Sequence, residues 1–252
     1  DTITENKILP QSHYLIVDEA HHLEKTTTDA LTIILSFGRF LRHWETLSDN
    51  LDSLGKNSLA FNAELPQIQE EFTILKLKAL HQTEKLFDLI RIMLNKYAKN
   101  SPGFPTQLNI NTPLHSSNEW QSIVSLLKDH ASLQAEIQSL AQKLQKQLLH
   151  WEIENSELPG LFSNLLDFYQ GAGEIAGKFP EKINWISKGF DESVHFHCAP
   201  LQITTELKTR LFDNKKSIIL TSATLTSFGN FNYIRSELGL GEEFEEIKLP
   251  SH

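Results

Sequence analysis

Apolar positions along the chain fall into two periods. Tyr14, Leu15, Ile16 and Val17 form a short apolar run that changes abruptly to Asp18-Glu19-Ala20-His21-His22, the pattern of a buried strand leaving a sheet into polar chemistry. From about Leu31 the period becomes helical: Leu31, Ile34, Leu35, Leu41 and Leu47 share a face, with Gly38 as a candidate kink. Beyond Pro66, well placed in a first helical turn, Ile68, Phe72, Leu75, Ala79, Gln82, Leu86, Leu89 and Met93 recur at alternating spacings of four and three, with Gln82 as the polar intrusion. A helix over 66–97 would reach roughly 48 Å and is expected to project. Pro102, Gly103, Pro105 and Pro113 mark a loop, and Leu126, His130, Leu133, Ile137, Leu140, Leu144 and Leu148 form a second seam with Ser117 as its N-cap. Two such helices are predicted to fold back as an antiparallel hairpin, each covering the other's stripe.

A further helix is predicted over 161–169. Gly171-Ala172-Gly173-Glu174-Ile175-Ala176-Gly177 then reads as a hinge or loop; no strand precedes it and no Lys-Ser or Lys-Thr pair follows, so it is no phosphate cradle. Strands are predicted over 183–186 and 194–197 around a polar turn, a helix over 201–212, and a buried strand Ser217–Leu220 ending in Thr221-Ser222-Ala223-Thr224. A short helix over 231–238 stops at Gly239. The whole reads as mainly α with a small α/β part: residues 1–30 and 181–252 build a partial parallel sheet, interrupted by a long all-helical insertion over 31–180 that contains the hairpin.

At 252 residues, 40% apolar and 22% charged, the chain is globular. Its 23 Lys and Arg against 32 Asp and Glu give −9, spread as −4, −3 and −2 over 1–30, 31–180 and 181–252, so any nucleic-acid contact must be local. Cys198 alone can form no internal disulfide and cannot supply the four thiolates of an iron–sulfur cluster; a reducing, cytoplasmic setting is expected. No apolar run reaches the length of a membrane span, so no membrane partner is expected. The chain opens at Asp1, which fits an excised piece of a longer protein.

Chemistry concentrates at Asp18 and Glu19. Hard carboxylate oxygens at the end of a strand suit Mg²⁺, and a neighbouring carboxylate can orient and deprotonate a water. The alternative is that Asp18 merely caps a helix beginning at Glu19. His195, His197 and Cys198 invite a metal, but on a strand the histidines share a face while the thiol points opposite. His130 in the helical seam reads as a satisfied core histidine. Trp44, Trp120, Trp151 and Trp185 could stack on bases, though packing is the commoner use. Lys76, Lys78, Lys85 and Lys96 interleave with Glu70, Glu71, Glu84 and Asp88, which reads as a solvated, ion-paired face.

Val17-Asp18-Glu19-Ala20-His21-His22-Leu23-Glu24 resembles helicase motif II of the DEAH type, and Leu220-Thr221-Ser222-Ala223-Thr224-Leu225 resembles motif III of the same enzymes, in the same order. The stretches 199–220 and 229–240 are similar to the DinG branch of the DinG and XPD family of superfamily-two DNA helicases. That resemblance implies a RecA-like motor domain interrupted by a helical Arch domain at 31–180. It further implies Asp18 as the ligand of nucleotide-bound Mg²⁺, Glu19 as activator of the hydrolytic water, and His21 as the contact to motif III. Thr221, Ser222, Ala223 and Thr224 would couple ATP turnover to 5′-to-3′ movement on DNA, with the single strand guided by the Arch. Several family members also carry an iron–sulfur cluster.

The chain departs from the family in lacking a G-x-x-x-x-G-K-[ST] loop, cluster cysteines and a second motor domain. It is therefore expected to be an internal piece, inactive alone and prone to self-association through uncovered sheet. A non-enzymatic alternative is a helical interaction module on a small α/β base. The enzyme reading requires the strand over 15–18 and the strand Ser217–Leu220 to be neighbours in one parallel sheet, with His21 beside residues 221–224.

Overall fold

The computed structural model describes residues 12–57, 65–98, 105–150, 157–177, 182–241 and 244–249; Pro10, Pro102, Gly103 and Trp151 lie outside them. In chain order the elements are β1 (Tyr14–Val17), α1 (Leu23–Leu31), β2 (Ile33–Ser36), α2 (Phe37–Asn57), α3 (Leu65–Tyr97), β3 (Thr106–Asn109), α4 (Thr112–His115), α5 (Asn118–His150), α6 (Leu158–Ala176), β4 (Lys182–Lys188), β5 (Val194–Pro200), α7 (Thr204–Leu207), β6 (Ser217–Leu220) and α8 (Asn232–Leu238). The fold is mainly α with a small α/β part. Two compact units share the chain, one from residues 1–32 and 199–252, the other from Ile33–Cys198.

In the first unit β1 and β6 pair in parallel, with Tyr14 opposite Ser217 and Val17 opposite Leu220. The two-residue alternation of a strand sends Ile218 and Leu220 onto a core of Ile203, Leu207, Phe212, Ile234 and Leu238. Tyr14, Ile16 and Ile219 point the other way and stay 68%, 69% and 54% exposed. Parallel sheets normally have both faces covered; among the described residues nothing covers this apolar face. The helix predicted over 201–212 appears as α7 continued by a π-helical turn, Lys208–Phe212. Gly239 ends α8 at φ 66°, and a Cβ there would stand 2.8 Å from Thr204 Cβ, so glycine is required both for the turn and for the close approach.

The second unit joins a four-stranded sheet, in the order β2-β5-β4-β3, to four long helices. Lys96 pairs with Glu119 at 2.5 Å, Lys78 with Glu136 at 2.6 Å and Glu71 with Lys143 at 2.6 Å. Positions on α5 rise as those on α3 fall, so the hairpin is antiparallel. These ion pairs cross between helices, where the sequence pattern placed them along one helix. The seam also shifts: Thr83 and Leu127 are fully buried, whereas Gln82 and Leu126 are only partly covered. Burial holds the His130 imidazole below its ordinary pKa, so it is neutral. Its Nδ1–H donates to the Leu126 carbonyl at 2.7 Å, and its Nε2 lies 3.0 Å from the Thr83 hydroxyl, which donates to the Ala79 carbonyl at 2.8 Å. Ser117 caps α5 by accepting the Trp120 N–H at 3.2 Å.

The paired helices do not project alone. α2 packs on α3 and α6, and α6 on α5, so Phe40, Trp44 and Leu47 from α2 and Phe162, Leu165 and Tyr169 from α6 share the core with both seams. Four apolar stripes closing on one another explain why 33-residue helices are stable here.

Several local expectations are corrected. Ile34 and Leu35 belong to β2, not to the start of a helix. Residues 18–31 carry the additional helix α1, and the proline-marked loop contains β3 and α4. Residues 182–198 form β4 and most of β5 in the helical unit, because Val194, Phe196 and Cys198 face its core and β5 pairs with β2. The glycine-rich stretch at 171–177 is no hinge; α6 runs through it to Ala176. A Cβ on Gly171 would lie 2.7 Å from Ile33 Cγ2 and 3.4 Å from Leu35 Cδ2, so glycine lets the helix rest on β2. Ile33 is the cross-strand partner of Cys198, so this unit begins and ends at neighbouring positions of one sheet.

These contacts separate two glycines of one helix. Gly171→Ala should destabilise by about 1–2 kcal/mol, overpacking outweighing the gain in helix propensity. Gly173→Ala, whose Cβ would meet Ala131 Cβ at an ordinary 3.6 Å, should be neutral or stabilise by up to about 1 kcal/mol. Urea unfolding of both variants reads the difference.

Candidate functional site

Because Val17 and Leu220 are register partners, the chain leaves both parallel strands at the same edge, where open α/β sheets build their sites. The pairing continues past the strands: the Thr221 N–H donates to the Val17 carbonyl at 2.9 Å and the Ala20 N–H to the Thr221 carbonyl at 3.0 Å. Ala20 is fully buried there. Between these anchors Glu19 is forced to φ 50°, ψ 43°, a left-handed conformation that costs a non-glycine residue about 1–3 kcal/mol. That turn aims its carboxylate back over the start of the segment after β6.

Ser222 is the centre of the resulting cluster. Its hydroxyl donates to Glu19 Oε2 at 2.9 Å, so the 2.7 Å contact from His21 Nδ1 must be a donation from the imidazole N–H. The same Nδ1 stands 3.1 Å from Glu19 Oε2, which makes His21 a shared donor to both oxygens. The Thr224 N–H donates to Ser222 Oγ at 3.2 Å. Thr221 thus contributes its backbone, Ser222 its side chain and Thr224 its amide, with Ala223 as spacer.

Asp18 stands beside this cluster and outside it. Its Oδ1 accepts the Glu19 N–H at 2.9 Å, an adjacent-residue contact; it does not cap the 3₁₀ turn Ala20–His22 that follows. One oxygen is held and the exposed carboxylate presents the other, a hard donor that would suit Mg²⁺.

No protein-family model matches the chain. Among curated proteins it is similar to the 3′-5′ exonuclease DinG of Bacillus subtilis (strain 168), with 23% identity over 280 residues. The match covers 97% of this chain and 28% of that protein, so the chain spans little more than a quarter of its relative's length. The similarity runs through the helical unit as well as both halves of the cluster-bearing unit.

Other sequence candidates fall elsewhere. His195 and His197 stand on the outward face of β5 while Cys198 is buried on the inward face, where burial pushes its thiol pKa up. Among the described residues no group of three or more His, Cys, Asp and Glu is placed to hold a metal, and no helix is long and apolar enough to cross a membrane. Trp44 and Trp120 are core residues. Trp185 is on the outward face of β4, stacked on His197. Two features of the site escaped sequence reasoning: the left-handed Glu19 and the backbone ladder through Ala20 and Thr221. Neither has a residue-type signal, since glutamate gives no hint of positive φ and backbone donors look alike at every position.

The cluster predicts energetic coupling across the sequence. His21→Ala and Ser222→Ala should each cost about 0.5–1.5 kcal/mol, with a double-mutant coupling of at least about 0.5 kcal/mol. Denaturant titration of the four proteins measures it; additive losses would show that the bond does not form.

Proposed function

We propose that the chain is the segment of an ATP-dependent DNA helicase that carries the catalytic carboxylates and their coupling partner, with the helical unit inserted between them as the Arch. The observation that carries this reading is the contact of Glu19 and His21 with Ser222 at the shared edge of β1 and β6. It supports the motor reading over a helical interaction module, which needs no such convergence.

In this reading Asp18 presents its second carboxylate oxygen to nucleotide-bound Mg²⁺. The ion, when bound, would neutralise charge on the transferring phosphoryl group. Glu19 orients the attacking water and accepts its proton. Ser222 and His21 hold the Glu19 carboxylate by hydrogen bonds while no water is engaged. Turning Glu19 toward a water weakens those bonds, and the change passes directly into residues 221–224, which follow β6. That exchange would couple ATP turnover to 5′-to-3′ movement along a single strand guided by the Arch.

The relative's name records a 3′-5′ exonuclease. The chain matches only 28% of that protein's length, and in this reading nuclease chemistry is assigned to the remainder. The phosphate loop and second motor domain are assigned there too. Further sheet elements of that polypeptide would cover Tyr14, Ile16 and Ile219; without them, a second copy of the chain would.

ATP hydrolysis tests the reading. The chain alone should show no turnover. Joined to the phosphate-loop and second motor segments of the same polypeptide, it should hydrolyse ATP with Mg²⁺ and DNA, and Glu19→Gln should lower kcat by about 10²–10⁴-fold while nucleotide still binds. Unchanged turnover in Glu19→Gln would remove Glu19 from the chemistry and the reading with it.

A further inference from the structure

Among the described residues nothing covers a stripe on the face of α3 turned away from the core. Ile74, Leu77 and Ile92 are 61%, 63% and 53% exposed there. With His81, Lys85 and Asp88, also exposed, they recur at spacings of three and four, so all six share one side of the helix. Large aliphatic side chains aligned on one helix face, instead of scattered singly, mark an interaction surface. Leu89 flanks the stripe toward α5, where with Lys85, Asp88, Ser122, Ser125 and Leu126 it lines a shallow groove of about 500 Å³ between the two helices.

We infer that this stripe is the interface of a homodimer, in which α3 pairs antiparallel with α3 of a second copy about a two-fold axis at the level of Thr83. The chemistry along the stripe is self-complementary about that position. Ile74 and Ile92 each stand nine residues from Thr83, so each isoleucine of one copy faces the other isoleucine of its partner. Leu77 and Leu89 each stand six away and form a second apolar layer, with Leu77 entering the groove beside Leu89. Lys78 and Asp88 each stand five away, and Glu70 and Lys96 thirteen, so both charged layers join opposite signs. A parallel two-fold pair would instead set Lys78 on Lys78 and Asp88 on Asp88. Lys78 and Lys96 also bond Glu136 and Glu119 of α5, which holds both ammonium groups at the edge of the stripe. Asp88 gives one oxygen to Arg91 and keeps the other for the partner. His81 and Lys85 meet in the middle layers, their stems packing while the polar heads reach water. From Ile74 to Ile92 the stripe spans about 27 Å, which places the dimer among small, transient interfaces. The inference depends neither on the ATP chemistry nor on the apolar sheet face at Tyr14, Ile16 and Ile219.

Sedimentation velocity tests it on the full chain carrying Ile16→Lys and Ile219→Glu, an opposite-charge pair of register partners that removes the sheet face as a contact. A reversible dimer should be populated by roughly 100 µM. Leu77→Lys should weaken it at least about tenfold, because the two-fold axis repeats each loss, whereas Leu149→Lys, exposed at the end of α5, should leave it unchanged. Cross-linking with a short bis-maleimide reads the register. A mixture of Ile74→Cys and Ile92→Cys proteins should give a covalent dimer joined between those two positions. Either protein alone should give little, since its two new thiols stand about 27 Å apart in the dimer and the native Cys198 is buried. Both substitutions fall at exposed positions that the monomer's core does not use. A chain that stays monomeric at that concentration, a dimer indifferent to Leu77→Lys, or cross-links as frequent in either protein alone as in the mixture would overturn the inference. None of these assays contains nucleotide, so their failure leaves the Glu19→Gln result untouched, and the converse holds.

Discussion

Backbone hydrogen bonding between β1 and β6 is the constraint on which the site depends. It joins segments about two hundred positions apart, as the span from His21 to Ser222 records, and parallel strands cannot be joined by a tight turn. The intervening chain is a folded unit whose first and last residues, Ile33 and Cys198, face each other across the β2–β5 ladder. Its excursion therefore starts and finishes at one place. The entropy of closing so long a loop is met within that unit's own folding, and the parallel pair sees the equivalent of a short connection.

Once that pair forms, the rest of the cluster follows from geometry. Thr221 bridges Val17 and Ala20, and burial of Ala20 leaves Glu19 nowhere to go but the left-handed region. The strain is local, and three hydrogen bonds converging on Ser222 Oγ offset it. A carboxylate held by a hydroxyl and an imidazole at a partly exposed sheet edge is fixed in direction yet releasable. That combination suits the water-activating role proposed for Glu19.

The sequence exposed the elements better than their partnerships. Seams of 3.6 period announced α3 and α5, and the apolar-to-polar step at Val17 and Leu220 marked both strand ends, because these depend on local pattern alone. Asp18, Glu19, His21 and residues 221–224 were legible as candidates for the same reason. Gly171 misled: composition says loop, but its missing side chain serves a helix packed against Ile33, a fact of tertiary space. The exchange of Gln82 for Thr83 as the polar seam residue reflects four-helix packing, which draws a wider stripe inward than a two-helix hairpin would. Residues 182–198 lie next to the α/β segment in sequence, yet their inward-facing Val194 and Phe196 complete the helical core.

Disulfide trapping tests the parallel pairing most directly. Ile16 and Ile219 are register partners on the exposed face, whereas Ile218 on the same strand points into the core. Neighbouring-strand Cα atoms lie within reach of a disulfide, and the native Cys198 is buried. With Ile16→Cys, oxidation followed by peptide mass mapping should give an intramolecular cross-link to Ile219→Cys in high yield and little or none to Ile218→Cys. Absence of the first cross-link, or equal yields of both, would contradict the pairing and the site built upon it.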